Sequence, residues 1–383
     1  MMADRRRLRL GMVGGGDGAF IGAVHRIAAR LDDQYELVAG ALSSDPKRAR
    51  ASAGPLHIAP DRAYGDYREM AAAESSRLDG IDVVAVVTPN HLHFDIARTF
   101  LQAGIHVICD KPMTTNLAQA QALADLVSRS GLFFGLTHNY SGYPLVRQAR
   151  EMVATGALGA IRVVQVEYPQ DWLAAPLEQT GQKQAAWRTD PARSGPAGCL
   201  GDIGSHAYHL LRYVTGLEVQ ALAADLTTFV PGRALDDHVQ VLLRFNSGAR
   251  GMLWSSQVAP GNQNALKLRV YGEKAGLEWS QEEPNSLIHT PLNEPPRLLR
   301  RNGPALGDAA IAASRIPPGH PEGYLEGFAQ LYHEFAMQIQ DCLDGKPAIA
   351  VPGVGVADGV DGLRFIEASL QSAASDGAWT ALP

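Results

Sequence analysis

The sequence predicts an α/β protein in two parts: a parallel sheet covered by helices, then an α+β part with an open, mainly antiparallel sheet. Three observations predict it. Up to residue 141, short and nearly continuous apolar runs alternate with helical spacing, the pattern of a parallel sheet buried on both faces. A glycine cluster at 14–18 ends the first run and opens the first helical stretch. Further on, the runs alternate apolar with polar and are separated by turn signals such as Asn246-Ser247-Gly248, as hairpins with one solvated face require.

Taken in order, residues 8–13 form a strand running into glycines, and 19–31 carry helical spacing. Residues 36–42 are a second buried strand. Asp45-Pro46 opens a helix, with the aspartate as N-cap and the proline in the first turn. The β-branched run 82–88 (DVVAVVT) is a strand, and 91–103 is a helix ended by Gly104. A strand at 105–109, a helix at 117–130 stopped by Gly131 and a strand at 132–137 complete the first part. In the second part, 143–155 is a helix and 161–168 (IRVVQVEY) an amphipathic strand. A polar, proline-containing excursion covers 169–196, and helical spacing returns over 201–214. Strands follow at 219–230, 238–245, 249–258, 266–271 and 277–280. The proline-rich stretch 284–318 reads as a long surface loop, and two helices, near 324–343 and 355–375, come last.

Composition sets outer bounds. The 383 residues are 46% apolar and 19% charged, which is ordinary for a globular chain and excludes a wholly disordered or fibrous one. With 34 basic and 40 acidic side chains the formal charge is −6, a poor balance for binding nucleic acid or an anionic membrane. Cys109, Cys199 and Cys342 form no CxxC pair, so neither a zinc knuckle nor a disulfide framework is indicated, and a reducing, cytoplasmic setting is expected. No apolar run approaches the ~18 residues that span a bilayer. Arg5-Arg6-Arg7 ahead of an apolar stretch has the look of a twin-arginine export signal. Arg9, Asp17 and six glycines within 8–24 argue instead for a strand and a turn.

Gly14-Gly15-Gly16-Asp17-Gly18-Ala19 fits G-x-G-x-x-A between a strand and a helix, where a dinucleotide-binding turn belongs. Gly14 makes the tight turn, Gly16 lets backbone amides reach a pyrophosphate, and Ala19 permits close helix–strand packing. The helix N-terminus, with Phe20 and Ile21, supplies positive potential. The plainer reading is an ordinary glycine-rich loop. At the end of the second strand, where an NAD enzyme usually carries an acid for the ribose, stand Ser43, Ser44 and Asp45, followed by Lys47 and Arg48. Serine with nearby cations accepts a 2′-phosphate, whereas Asp45 serves a free ribose or only caps its helix. Both NAD and NADP therefore stay open.

The combination VVTPNHLH (86–93), CDKP (109–112) and GDIGSHAYH (201–209) resembles the Gfo/Idh/MocA oxidoreductases, which include glucose–fructose oxidoreductase and the inositol dehydrogenases. The likeness runs over almost the whole chain. The family pattern is Glu-Lys-Pro; Asp110-Lys111-Pro112 has the shorter acid and keeps the lysine. Lys111 ends a parallel strand, at the edge where open α/β sheets bind ligands. Its charge would lower the pKa of a bound hydroxyl, although a surface lysine before a turn fits the residue alone. Asp202 and His206 are four apart and share one helix face. A histidine takes a proton near neutral pH and a carboxylate supports its charged form. A metal pair or a satisfied core histidine are the other readings of that spacing. The resemblance implies that Lys111 polarises the reacting hydroxyl, that His206 is the general base, that Asp202 is its companion, and that no metal is needed. His209, one turn on, reads as structural.

The resemblance also places Thr88, Pro89, Asn90 and His93 beside the cofactor, with Asp110, Lys111 and Asn139 at the same sheet edge. His91 and His93 are otherwise only helix N-terminal residues. Tyr140, Trp187, Arg188 and His320 join Lys111, Asp202 and His206 as expected substrate contacts. Tryptophan offers a sugar ring an apolar face, and arginine offers donors to its hydroxyls. His320 otherwise caps the helix after it. Cys109 and Cys199 read as small packing residues.

The expectation is thus a Rossmann domain over 1–141 and a substrate-binding and oligomerisation domain over 142–383. The implied activity is NAD(P)-dependent oxidation of a secondary alcohol of a sugar, glycoside or cyclitol by hydride transfer to nicotinamide. An NAD-dependent glycosidase using transient oxidation and a non-catalytic sugar or NAD(P) sensor are the alternatives. An uncovered apolar sheet face would cost solubility, so a homo-oligomer, dimer or tetramer, is expected through the C-terminal sheet.

Overall fold

A computed structural model describes residues 6–383. The chain divides into two compact units. One runs up to Asn139 and is rejoined by Phe328–Val360; the other comprises Tyr140–Gly327 and Asp361–Pro383. The continuous second domain expected over 142–383 is therefore interrupted, because a return to the first sheet leaves no mark in local periodicity.

The first unit contains β1 (Leu8–Gly14), α1 (Phe20–Leu31), β2 (Tyr35–Ala41), α2 (Pro46–Ala53), α3 (Tyr67–Ser75), β3 (Val83–Val87), α4 (His93–Gln102), β4 (His106–Cys109), α5 (Leu117–Ser130) and β5 (Phe134–Leu136). Among the described residues these strands form one five-stranded sheet in the order β2-β1-β3-β4-β5, every neighbouring pair parallel. All five residues of β3 are buried, as the β-branched run predicts for a sheet covered on both faces. The order in which strands are added reverses between β1 and β3, the place where sheets of this kind bind ligands at their carboxyl edge. The sequence reading missed α3, whose apolar stripe is thin; Asp66 caps it, accepting from the Arg68 amide at 2.7 Å.

The second unit adds α6 (Pro144–Ala154), β6 (Ile161–Pro169), α7 (Lys183–Arg188), α8 (Pro191–Ser194), α9 (Ser205–Thr215), β7 (Val219–Thr227), β8 (His238–Phe245), β9 (Arg250–Ser256), β10 (Lys267–Gly272), β11 (Ala275–Ser280), β12 (Ser286–Pro291), β13 (Arg297–Arg300) and α10 (Asp308–Ala312). The long helices α11 (Tyr324–Leu343) and α12 (Val356–Ala374) and the short strand β14 (Thr380–Ala381) follow. Among the described residues nine strands form the second sheet, ordered β13-β12-β11-β10-β6-β9-β8-β7-β14; β6 and β9 run parallel and the other neighbours antiparallel. In β8, Val239, Val241, Leu243 and Phe245 are buried while Gln240, Leu242 and Arg244 are exposed.

Two expectations are corrected here. The stretch 284–318 is no structureless loop: it supplies β12, β13 and α10. Its prolines are compatible with strands near a sheet edge, where missing N–H donors are tolerated. Arg301 anchors what remains, pairing with Glu322 at 2.7 Å in full burial and donating to the Ile316 and Pro317 carbonyls. The excursion 169–196 likewise carries α7 and α8.

Phe328–Val360 has clear reasons to join the first unit. The Tyr35 hydroxyl donates to the Tyr332 carbonyl at 2.8 Å, and the Phe335 ring packs on Phe133 at 5.4 Å. A Cβ on Gly135 would meet the Phe335 ring at 2.9 Å, so β5 needs a glycine there. No described helix is long and apolar enough to cross a membrane. Residues 8–14, which follow the arginine cluster, are strand β1; Arg5 lies outside the described residues.

Candidate active site

In the first unit the candidate residues line up along the carboxyl edge of the parallel sheet. Gly14 has φ +82°, and a Cβ there would stand 2.8 Å from the Val87 carbonyl oxygen. At Gly16 a Cβ would stand 2.5 Å from the Leu42 carbonyl oxygen, so this glycine also lets the turn lie against the end of β2. The close helix packing expected of Ala19 falls instead to Gly22, where a Cβ would meet the Gly15 Cα at 2.3 Å. Ala19 is the N-cap of α1 and supplies no side-chain cap, which leaves the first-turn amides of Phe20 and Ile21 to an anion or solvent. Arg26 braces the turn by donating to the Gly15 carbonyl at 2.5 Å. Glycines that admit no Cβ beside an uncapped helix start fit a dinucleotide pyrophosphate.

Asp45 is occupied as the N-cap of α2, accepting from the Lys47 and Arg48 amides at 2.8 and 3.2 Å. Ser43, Ser44 and the exposed Arg48 stand beside it at the end of β2. At the ends of β3 and β4, His93 is buried, with Nδ1 2.8 Å from the Pro112 carbonyl and Nε2 2.8 Å from the Thr88 carbonyl. Burial lowers its pKa. Its two nitrogens thus set it between the Thr88-Pro89-Asn90 turn and the Lys111-Pro112 turn, whose peptide bond is cis. Asp110 Oδ1 accepts from the Lys111 amide and from Thr137 Oγ1, both at 2.9 Å. Lys111 is half-buried, and Asn139, just past β5, is buried.

In the second unit a buried carboxylate starts the helix that carries Asp202 and His206. Asp236 accepts from the Gly198 amide at 2.6 Å and the Leu200 amide at 2.8 Å. A Cβ on Gly198 would collide with the Asp236 carbonyl oxygen at 2.2 Å. The helix opens with a π turn, Leu200–Gly204, before α9, a departure from α geometry often found at functional sites. Asp202 Oδ2 accepts from Gln257 Nε2 at 2.9 Å and pairs with Arg188 Nε at 3.2 Å. Arg188 lies over the rings of Trp187 (4.3 Å) and Trp172 (5.9 Å). Arg188, expected to meet substrate hydroxyls, therefore also balances the charge of Asp202.

His206 is 8% exposed and meets the Tyr140 ring edge-on, with centroids 5.0 Å apart. The Tyr140 hydroxyl is hydrogen-bonded to that of Tyr168. His209 is buried and stacks on Tyr213 at 6.0 Å. His320 is exposed, and its carbonyl accepts from Arg301. The cap expected of it is made by Glu326, which accepts from the Gly323 amide at 2.8 Å. No group of His, Cys, Asp and Glu side chains arranged to hold a metal occurs among the described residues.

Several residues here escaped the sequence reading. Arg233 is fully buried, pairs with Glu178 and Asp237 at 3.0 and 3.2 Å, and donates to the Leu173 and Ala175 carbonyls, which fixes the segment bearing Trp172. Its one signal is an arginine close to the Asp236-Asp237 pair. Gln257, Tyr168 and Asn264 carry no local signal at all.

The parallel sheet with its glycine turn at the switch point defines a dinucleotide-binding protein, and the Asp-and-His helix of the second unit adds groups suited to proton transfer. Residues 8–138 match the oxidoreductase family with an NAD-binding Rossmann fold, and 146–278 match the GFO/IDH/MocA C-terminal domain. The crystal structure of an oxidoreductase from Sinorhizobium meliloti is 52% identical, covers 98% of this chain and 99% of its own, and superposes with a TM-score of 0.88. An inositol dehydrogenase homolog from Azotobacter vinelandii, solved with NADH and myo-inositol, is 37% identical over 98% of both chains, with a TM-score of 0.92. An uncharacterized oxidoreductase of Bacillus subtilis is 34% identical over 97% of this chain and 96% of its own. The chain belongs to the Gfo/Idh/MocA family of oxidoreductases, with an NAD(P)-binding Rossmann domain.

Proposed function

We propose that this protein is a dehydrogenase that oxidises a secondary alcohol of a sugar, glycoside or cyclitol to the ketone, with Lys111, Asp202 and His206 as the reacting side chains. The arrangement of Asp202 and His206 carries the reading: a buried imidazole and a hydrogen-bonded carboxylate on one helix, in a chain of this family. A bound nicotinamide dinucleotide supplies the acceptor for the hydrogen and electron pair of the substrate C–H bond. Lys111 donates to the substrate oxygen and stabilises its alkoxide character. His206 takes the hydroxyl proton, and Asp202 supports the positive charge that His206 then carries. Gly14, Gly16 and the first-turn amides of α1 hold the pyrophosphate, and Ser43, Ser44 and Arg48 read the ribose. Thr88, Pro89, Asn90, Asp110 and Asn139 complete the cofactor contacts. Trp187 and Trp172 offer ring faces to the polyol.

The test is a panel of sugars, glycosides and inositols, myo-inositol included, each with NAD and with NADP, followed by absorbance of the reduced nicotinamide. Reduced cofactor should accumulate with at least one polyol, and His206→Ala should lower turnover about 10²–10⁴-fold. Consumption of a glycoside without net reduced cofactor would instead establish a glycosidase using transient oxidation. Binding of polyol and cofactor without turnover would establish a sensor.

The open face of the nine-stranded sheet supports pairing with a second copy. Val163, Leu242, Met252, Tyr271, Ile288 and Leu298 share that face by register and are exposed. Between them run polar links, such as Trp254 to Glu167 at 2.9 Å and Arg269 to Glu278 at 3.1 Å.

A further inference from the structure

We propose that Tyr140, Tyr168 and Asn264 form a hydrogen-bonded aromatic wall that sets the orientation of the His206 ring, so that the two tyrosines are positioning residues and not substrate contacts. The inference rests on the reading of His206 as the base. Its starting point is a count of protons. The Asn264 side-chain oxygen accepts from Tyr168 Oη and from Gln170 Nε2, both at 2.7 Å. Tyr168 has therefore given its only proton to Asn264, and its oxygen is left as the acceptor for the Tyr140 hydroxyl. The chain runs one way, from Tyr140 to Tyr168 to Asn264. Neither phenol retains a proton for a substrate hydroxyl.

Neither is a base. Burial pushes Tyr140 up to about 12 and Tyr168 well above its ordinary value, so both stay neutral. What they present to His206 is ring surface. Tyr140 meets the imidazole at 78° and 5.0 Å, and Tyr168 lies at 6.3 Å. Behind Tyr140, Tyr143 stacks at 6.0 Å and is itself edge-on to the buried Trp279 at 5.5 Å. The wall is thus fixed at one end by a hydrogen-bond chain and at the other by packing. Such a wall narrows the orientation of a histidine, whose outer side-chain torsion is broad and nearly two-fold. A ring free to turn would offer its two nitrogens alternately, and a misplaced base loses rate without losing substrate affinity.

Three variants test this: Tyr140→Leu removes the ring, Tyr140→Phe keeps it without the hydroxyl, and Tyr168→Phe cuts the chain. The first readout needs no substrate. Ring-nitrogen NMR of ¹⁵N-histidine-labelled protein, with the His206 signals assigned by their loss in His206→Ala, reports the tautomer at pH values where the ring is neutral. The wild type should show two widely separated nitrogen shifts, the mark of one tautomer. Tyr140→Leu should draw them toward an average, and Tyr140→Phe should stay near the wild type. The second readout uses whichever polyol of the panel is oxidised. Tyr140→Leu should lower kcat about ten-fold or more with KM within about two-fold, Tyr168→Phe less, and Tyr140→Phe should recover most of the rate. Unchanged nitrogen shifts in Tyr140→Leu overturn the proposal. So does a raised KM at unchanged kcat, which would make the tyrosines substrate contacts. If Tyr140→Leu does not fold, Tyr168→Phe decides on the same two readouts. Retained turnover in His206→Ala would remove the base assignment, whereas the NMR result still decides whether the wall orients the ring.

Discussion

A lysine at a strand end is positioned only if its backbone is held, and here the neighbours hold that of Lys111. Asp110 accepts from the Lys111 amide, Thr137 steadies Asp110, and His93 bridges to the Pro112 carbonyl. Lys111→Met keeps most of the bulk and loses the charge. It should depress kcat while the thermal midpoint stays near that of the wild type; unchanged kinetics would take Lys111 out of the reaction. Buried histidines lead to a second expectation. Burial pulls His25 down to about 4, and it pulls His106, whose Nδ1 accepts from the Phe133 amide at 2.9 Å, to about 4 as well. Both take up protons near 6.5 when the chain unfolds, so their stabilisation is present above that pH and is lost as pH falls toward 4. Each contributes a slope of at most about 1.4 kcal/mol per pH unit in that window. Urea denaturation at pH 7 and pH 5 should show the loss, and His25→Asn should flatten it. Equal stability at the two pH values would refute the idea.

At the scale of elements, α1 and the π-opened helix before α9 are each placed by a close backbone contact. Gly22 lies against Gly15, and Gly198 against Asp236. Gly22→Ala puts a Cβ 2.3 Å from the Gly15 Cα, so α1 or the glycine turn must shift. The expected result is about 1–3 kcal/mol of lost stability, the usual cost of overpacking, together with weaker NADH binding. Denaturation and NADH fluorescence titration measure the two; wild-type NADH affinity would show that the turn tolerates the displacement. The G-x-G-x-x-A pattern was legible here because its spacing is local. Gly22 was not, since the reason for it is the approach of a helix to a turn seven residues earlier.

At the scale of the whole molecule, the exposed side chains of the nine-stranded sheet set the expected assembly. Leu242 and Met252 are directly opposed in register and 51% and 46% exposed. Changing both to aspartate should convert an oligomer to a monomer in light scattering coupled to size exclusion, with the far-ultraviolet circular dichroism unchanged. A wild type that is already monomeric at micromolar concentration would contradict the pairing of this face. The alternation that exposes these residues was visible in the sequence as hairpins with one solvated face. The order β10-β6-β9, with its parallel pair, was not, because strand neighbours far apart in sequence leave no local trace.

By itself the sequence determined the parallel nucleotide-type sheet, the glycine turn, the Asp-Lys-Pro strand end and the four-residue spacing of Asp202 and His206. Each is written in nearby residues, through periodicity, turn chemistry or motif. Only the tertiary structure decided what surrounds them. It gave His93 to two backbone carbonyls, Arg188 to Asp202, and Tyr140 to Tyr168. It also returned Phe328–Val360 to the first unit. These outcomes depend on which polar groups are buried together and must satisfy one another, and partners that lie dozens of residues apart are chosen by packing, not by pattern.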